Sequence, residues 1–274
     1  MNNHPFYKTI LPLETNLFES LSKEIVFETL GKGRVGNHIV KYMDAIPIVR
    51  TTTKFTILSH YFTVPHLNIL NQINKILEQE NQPKTAFNCG LIEIYDENYT
   101  KMSYHSDLSL DLKTDSYIGL FSCYKHPEKL TDTTIRILRI KDKSTEEEFD
   151  ITLTHNSLVL FSLETNAKYS HKIILENPNR EALKLTDNKW LGITFRTSKT
   201  FVKFNNDTPY FEDNTIMELA NETQEKEFYK QRGEENRSLN FTYPKIKYTL
   251  SKADLIVPKL EENDTCNNKK TQQL

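Results

Sequence analysis

The chain has 274 residues, a mass of 32.1 kDa, a formal net charge of −2 and a mean hydropathy of −0.58. That length can bury a sizeable core within a single β-rich domain. The near-neutral charge excludes a generally basic nucleic-acid-binding surface, and no apolar run reaches the roughly 18 residues of a membrane span.

Taken in chain order, residues 14–30 place Leu17, Leu21, Ile25 and Leu30 on one stripe and predict a helix. A short Gly-containing turn follows at 31–36. Between Pro65 and Pro83, the run His66 to Glu80 predicts a second amphipathic helix. Strand-like runs come next at 87–95, 116–124, 134–141, 148–153, 157–163, 171–175 and 189–204. Helices first and short strands afterwards predict an α+β, β-rich fold, a double-layered jelly-roll barrel with N-terminal helices on one face. From Asn205 onward Met217 to Arg237 is charged and helix-like, Leu239 to Leu260 contains Pro244 and Pro258, and 261–274 is expected to be disordered. The expected divisions are therefore an N-terminal helical and lid region (1–86), a core (87–204), a C-terminal extension (205–260) and a tail.

The chemistry sits in three groups: Tyr104-His105-Ser106-Asp107, Ser170-His171-Lys172 and Thr194-Phe195-Arg196. Met102 to Asp107 reads as extended, so His105 and Asp107 share a face while Ser106 turns away. A surface His and Asp flanking a turn is the alternative at this point. His171 opens a β-rich segment some 60 residues later, the separation at which distant strands become neighbours in a barrel; a structural histidine is its alternative. Two His and one carboxylate on one face of Fe(II) leave positions free for a keto acid and O2. Arg196 lies inside a strand, where a charge is seldom found unpaired. An anionic co-substrate or an internal carboxylate would partner it.

The stretch from Phe87 to Phe201 resembles the AlkB-like Fe(II)/2-oxoglutarate dioxygenases. Phe87-Asn88, Tyr95 and His105-Ser106-Asp107 match the family's Phe-Asn, strand Tyr and H-x-D. Leu153-Thr154-His155-Asn156 resembles its L-x-H-G turn, with Asn in place of Gly, and Ile193-Thr194-Phe195-Arg196 resembles its closing L-T-F-R. A looser likeness reaches Ile46 to Arg50, where the family approaches its substrate lid. The resemblance implies Fe(II) on His105, Asp107 and His171, with Arg196 and Tyr95 on the far carboxylate of 2-oxoglutarate. It implies oxidative demethylation of an N-alkylated nucleobase in DNA or RNA, or hydroxylation of a protein or small molecule at the same iron. Three family positions that help hold the co-substrate differ, being Glu93, Trp190 and Gly192, and Lys189 is a substitute source of charge.

Substrate-pocket candidates are Tyr104, Arg50 and Phe55, with core packing as the alternative for the aromatics. Nucleic acid would be met through a local basic or aromatic surface, for which Arg136, Arg139, Lys141 and Lys143 are basic candidates, with an ordinary solvated face as their alternative; no membrane partner is expected. The cysteines Cys89, Cys123 and Cys266 are too few and too dispersed for a zinc cluster or disulfide framework. Cys89 and Cys123 are expected to be buried small hydrophobes. With no basic and apolar leader at its start, the chain is expected in the cytoplasm or nucleus.

Overall fold

The computed structural model describes residues 5–176 and 178–258. The expected disordered tail and Cys266 lie outside them. The first elements are β1 (Phe6–Ile10), α1 (Phe18–Lys23), β2 (Glu28–Gly31), β3 (Arg34–Val40), β4 (Ile46–Pro47), β5 (His60–Tyr61) and α2 (Val64–Gln79). The middle of the chain forms β6 (Cys89–Tyr95), β7 (Tyr117–Tyr124), β8 (Arg136–Asp142), β9 (Glu148–Leu153), β10 (Ser157–Ser162), α3 (Leu163–Lys168) and β11 (Tyr169–Leu175). After it come α4 (Arg180–Thr186), β12 (Trp190–Arg196), β13 (Phe201–Asn205), β14 (Thr208–Phe211) and the helix α5 (Glu222–Arg237).

Two mainly antiparallel sheets carry the fold. The larger runs β1-β10-β7-β12-β6-β3-β2, with β5 paired beside β3, and the smaller runs β11-β8-β9. Strand alternation sends one set of side chains from the large sheet toward the small one. Val40, Cys89, Tyr95, Leu120, Val159 and Trp190 meet Leu138, Ile140, Leu153 and Ile173 there. The opposite set, including Ile39, Ile92, Phe121, Leu191, Ile193 and Phe195, is covered by Leu21 of α1 and by Ile69, Ile73 and Leu77 of α2. Each such side chain, fully buried, contributes about 1.5–3 kcal/mol. The result is a β-rich arrangement of sheets with helices on one outer face, consistent with the expected jelly roll.

Three local expectations need correction. The helix expected over 14–30 ends at Lys23, because Val26, Phe27 and Thr29 favour extended backbone, the Asn37 side-chain amide donates to the Val26 carbonyl, and Glu28–Gly31 pairs with β3. The N-terminal region is accordingly not mainly helical: β1, β2 and β3 are integral strands of the large sheet. The run 189–204 is two strands in different sheets. Asn88 and Ser198 exchange amide and carbonyl hydrogen bonds at 2.8 and 3.0 Å, and Ser198 Oγ donates to the Ile48 carbonyl, so the chain leaves the large sheet at that point.

Smaller expectations hold. α2 starts on Thr63 with a capping box in which His66 accepts from the Thr63 N–H. Asn156 adopts φ +57°, the left-handed backbone that its place in the L-x-H-G-like turn requires. Cys89 and Cys123 are both buried and free.

Candidate metal centre and co-substrate pocket

His105 and His171 are brought together by backbone pairing. The His105 N–H donates to the His171 carbonyl at 3.0 Å and the His171 N–H donates back at 2.7 Å, an isolated antiparallel bridge. No regular strand forms over 102–107, yet the extended path there serves the same end. Ser106 points away and donates to the Tyr169 carbonyl, while Asp107 turns toward His171, its Oδ1 lying 3.7 Å from His171 Nε2. One donor atom from each of His105, Asp107 and His171 lies within 4.8 Å of the others, and no other such group occurs among the described residues.

The surroundings hold these side chains in a metal-ready state. His105 Nδ1 lies 3.1 Å from the Ser103 carbonyl; an Nδ1–H donated there leaves Nε2 free to coordinate, as ligand histidines do. Burial depresses both imidazoles, that of His171 to about 3, so both are neutral at pH 7, the coordinating form. Burial alone would raise the Asp107 carboxyl, but Arg196 and His171 outweigh it and hold it well below the usual range. Asp107 is pinned through its backbone too: its N–H donates to Asn166 Oδ1 at 2.7 Å and its carbonyl accepts from Asn166 Nδ2 at 2.8 Å.

Arg196 is placed differently from the expectation of a far-carboxylate anchor. Its Nε and Nη2 both meet Asp107 Oδ2 at 2.8 Å. The guanidinium thus lies beside the metal-binding carboxylate, leaving Oδ1 for an ion. Tyr95 is deeper, fully buried, with its hydroxyl donating to Glu93 Oε2 at 2.9 Å. Lys189 takes no part; it is half-buried and pairs with Asp187.

All three donors open on a cavity of about 630 Å³ that Arg34, Glu93, Tyr95, Tyr104, Arg196 and Arg232 also line. Tyr104 stands at this wall with the Lys172 ammonium 4.0 Å from its ring centroid. Arg50 and Phe55 are not part of it, which corrects the substrate-pocket expectation. Arg50 is 3% exposed and forks onto Asp111, and Phe55 is 1% exposed against His38. Arg50 belongs to a buried ion pair, and Phe55 takes the core-packing alternative.

Each of the four basic candidates has a partner within the protein. Arg136 is buried, donating to the Asp96 and Tyr99 carbonyls, Arg139 pairs with Asp150 and Glu176, and Lys141 pairs with Glu146. Lys143 donates to carbonyls of Glu235 and Ser238 at the end of α5.

Sequence reasoning missed Arg34, Asn166 and the inner side of α5. The helix itself was legible as a charged run, but not that Asn236 accepts from the Ser106 N–H and Arg232 donates to the Ser106 carbonyl, clamping the H-x-D segment.

No helix among the described residues is long and apolar enough to cross a membrane. Residues 61–196 match the model of the 2OG-Fe(II) oxygenase superfamily. No curated protein sequence matches the chain. Among solved structures it is similar to OsALKBH1, at 11% identity and TM-score 0.43, over 70% of this chain and 98% of that one. A Pseudomonas putida prolyl-4-hydroxylase is similar at 11% identity and TM-score 0.41, over 71% of this chain and 94% of that one. Fe(II) and 2-oxoglutarate are the cofactor and co-substrate of the superfamily, and the His105, Asp107 and His171 donor set fits such an ion. The chain belongs to the 2OG-Fe(II) oxygenase superfamily and is a 2-oxoglutarate-dependent oxidoreductase.

Proposed function

We propose that His105, Asp107 and His171 hold Fe(II) in this enzyme and that its substrate is an N-alkylated nucleobase in DNA or RNA, demethylated oxidatively. The observation that carries the iron assignment is the three converging donors on the wall of a 630 Å³ cavity. Bound iron, with 2-oxoglutarate and O2, supplies the oxidant that removes hydrogen from a substrate C–H, with succinate and CO2 as co-products.

The protein's own residues do the rest. The neutral His105 and His171 imidazoles donate their lone pairs, while Arg196 orients Asp107 and offsets its charge. Arg196 also offers positive charge at the metal end of the co-substrate. Tyr104 and Tyr229 line the same cavity and offer faces on which a flipped or single-stranded base could stack. Support for a nucleobase comes from this aromatic wall and from the resemblance of the motif run.

A second reading has its own observation. The cations at Arg139 and Lys141 are already paired with carboxylates, which favours an uncharged or peptide substrate and hydroxylation of a protein or small molecule. Formaldehyde release from N-methylated single-stranded oligonucleotide, with binding that weakens steeply as salt rises, is the expected result. Succinate release that no oligonucleotide alters would replace the demethylase with the hydroxylase.

A further inference from the structure

The far end of the co-substrate pocket lacks its expected cation. Trp190 is 2% exposed and packs on Tyr95 at 4.7 Å between ring centroids. A Cβ at Gly192 would fall 2.0 Å from the Trp190 ring, so the glycine makes room for the indole. Neither side chain carries a positive charge; the Trp190 indole N–H, buried without a partner, is the only donor either side chain offers. Arg196 is committed to Asp107 beside the metal, and Arg232 to Glu235 and the Ser106 carbonyl.

The neighbouring strand supplies a different cation. In register across the sheet, Arg34 of β3 stands opposite Tyr95 of β6, which stands opposite Trp190 of β12. Directly paired residues share a face, so Arg34 enters the inner face from the other side of Tyr95. Its Nε and Nη2 meet Glu93 Oε1 at 2.6 and 2.5 Å, and the Tyr95 hydroxyl donates to Glu93 Oε2. A guanidinium fork and a phenol converging on one carboxylate form a carboxylate seat. The chain's own Glu93 sits in it. Gly36, opposite Glu93, leaves the space for that side chain, since a Cβ there would approach Glu93 Cγ to 3.1 Å.

The seat is at the right place along the strands. Gly192 is in register with Glu93, and Arg196 lies four residues further on. At about 3.3 Å per residue that is roughly 13 Å between backbone rows. The gap narrows from both ends, because Arg196 leans back to the Thr194 carbonyl and Arg34 reaches forward to Glu93. Arg34, Glu93, Tyr95, Thr194 and Arg196 all line the one cavity with the metal donors.

We infer that Arg34 anchors the far carboxylate of 2-oxoglutarate and that Glu93 competes with the co-substrate for the same guanidinium. This rests on the oxygenase reading above. The anchor comes from β3 rather than β12, and the internal carboxylate sets how tightly the keto acid is held.

The test is an equilibrium titration of the full chain loaded with Mn(II), which needs no turnover. Trp190 is the sole tryptophan, and its emission is the readout, checked by calorimetry. Two ligands are compared: 2-oxoglutarate, and pyruvate, which lacks the second carboxylate. In Arg34→Met the dissociation constant for 2-oxoglutarate is expected to rise at least about tenfold, with that for pyruvate nearly unchanged. In Glu93→Gln 2-oxoglutarate is expected to bind several-fold more tightly. An unchanged 2-oxoglutarate constant in Arg34→Met, or equal losses for both ligands, would overturn the anchor. Weaker or unchanged binding in Glu93→Gln would overturn the competition. Wild-type protein that binds neither keto acid would overturn the oxygenase reading, and the inference with it.

Discussion

Gly192→Ala is the sharpest probe of how this chain rebuilt its inner sheet. The added methyl would lie 2.0, 2.5 and 2.7 Å from Cη2, Cζ2 and Cζ3 of Trp190, well inside van der Waals contact. The indole has little room to retreat: it is 2% exposed, Tyr95 lies against it, and the Arg136 guanidinium carbon is 5.9 Å from its ring centroid. Overpacking of this kind costs about 1–3 kcal/mol. For a chain of this size each kcal/mol moves Tm by about 2–4 °C, so a fall of roughly 2–12 °C is expected. Differential scanning fluorimetry followed by Trp190 emission reads both the stability and the displaced ring. Trp190→Phe in the same chain, its melting followed by circular dichroism because no tryptophan remains, should recover much of the loss, because the smaller ring vacates the methyl's position. Unchanged Tm and unchanged emission in Gly192→Ala would refute the packing argument.

The remaining expectations concern the site and its frame. Breaking a buried ion pair by removing one partner costs about 3–5 kcal/mol; urea unfolding of metal-free Arg196→Ala should show such a loss, and the double variant with Asp107→Ala should lose far less than the two singles combined. Additive losses would mean that the pair is not coupled. Asn166→Ala should weaken Mn(II) binding about 10–100-fold, since Asn166 holds the Asp107 backbone from both sides; an unchanged titration would remove it from that role. Burial lowers the His66 imidazole to about 3 against an ordinary value of 6.5. The unfolded chain therefore binds the extra proton first, so the stability that neutral His66 contributes is present above pH 6.5 and is lost as pH falls toward 3. His66→Gln should flatten the decline of Tm across that window, and an identical slope would contradict this.

Much of this was legible because the signals are local. The apolar stripe and flanking prolines of α2, the apolar run of β6 and the alternation that sets His105 and Asp107 on one side all act over a few residues. His171 became visible only as a histidine opening a strand, and the backbone bridge to His105 is a long-range fact. Arg34 could not be read, because its meaning depends on the register of β3 with β6 and on the loss of charge at Trp190. The surroundings of Arg50 and Phe55 were hidden for a similar reason. Nothing near Arg50 in the chain announces Asp111, and nothing near Phe55 announces His38. Arg139 and Lys141 likewise look basic in sequence and are neutralised by carboxylates 11 and 5 residues away.

The central claim is that His105, Asp107 and His171 form one iron centre that turns over 2-oxoglutarate. Its most direct test is succinate formation by the wild-type chain supplied with Fe(II), ascorbate and 2-oxoglutarate, compared with His171→Ala. The account predicts succinate from the wild type and none above background from the variant, with reduced metal occupancy in the variant. Full succinate formation in His171→Ala, or none from an iron-loaded wild type given candidate substrates, would contradict it.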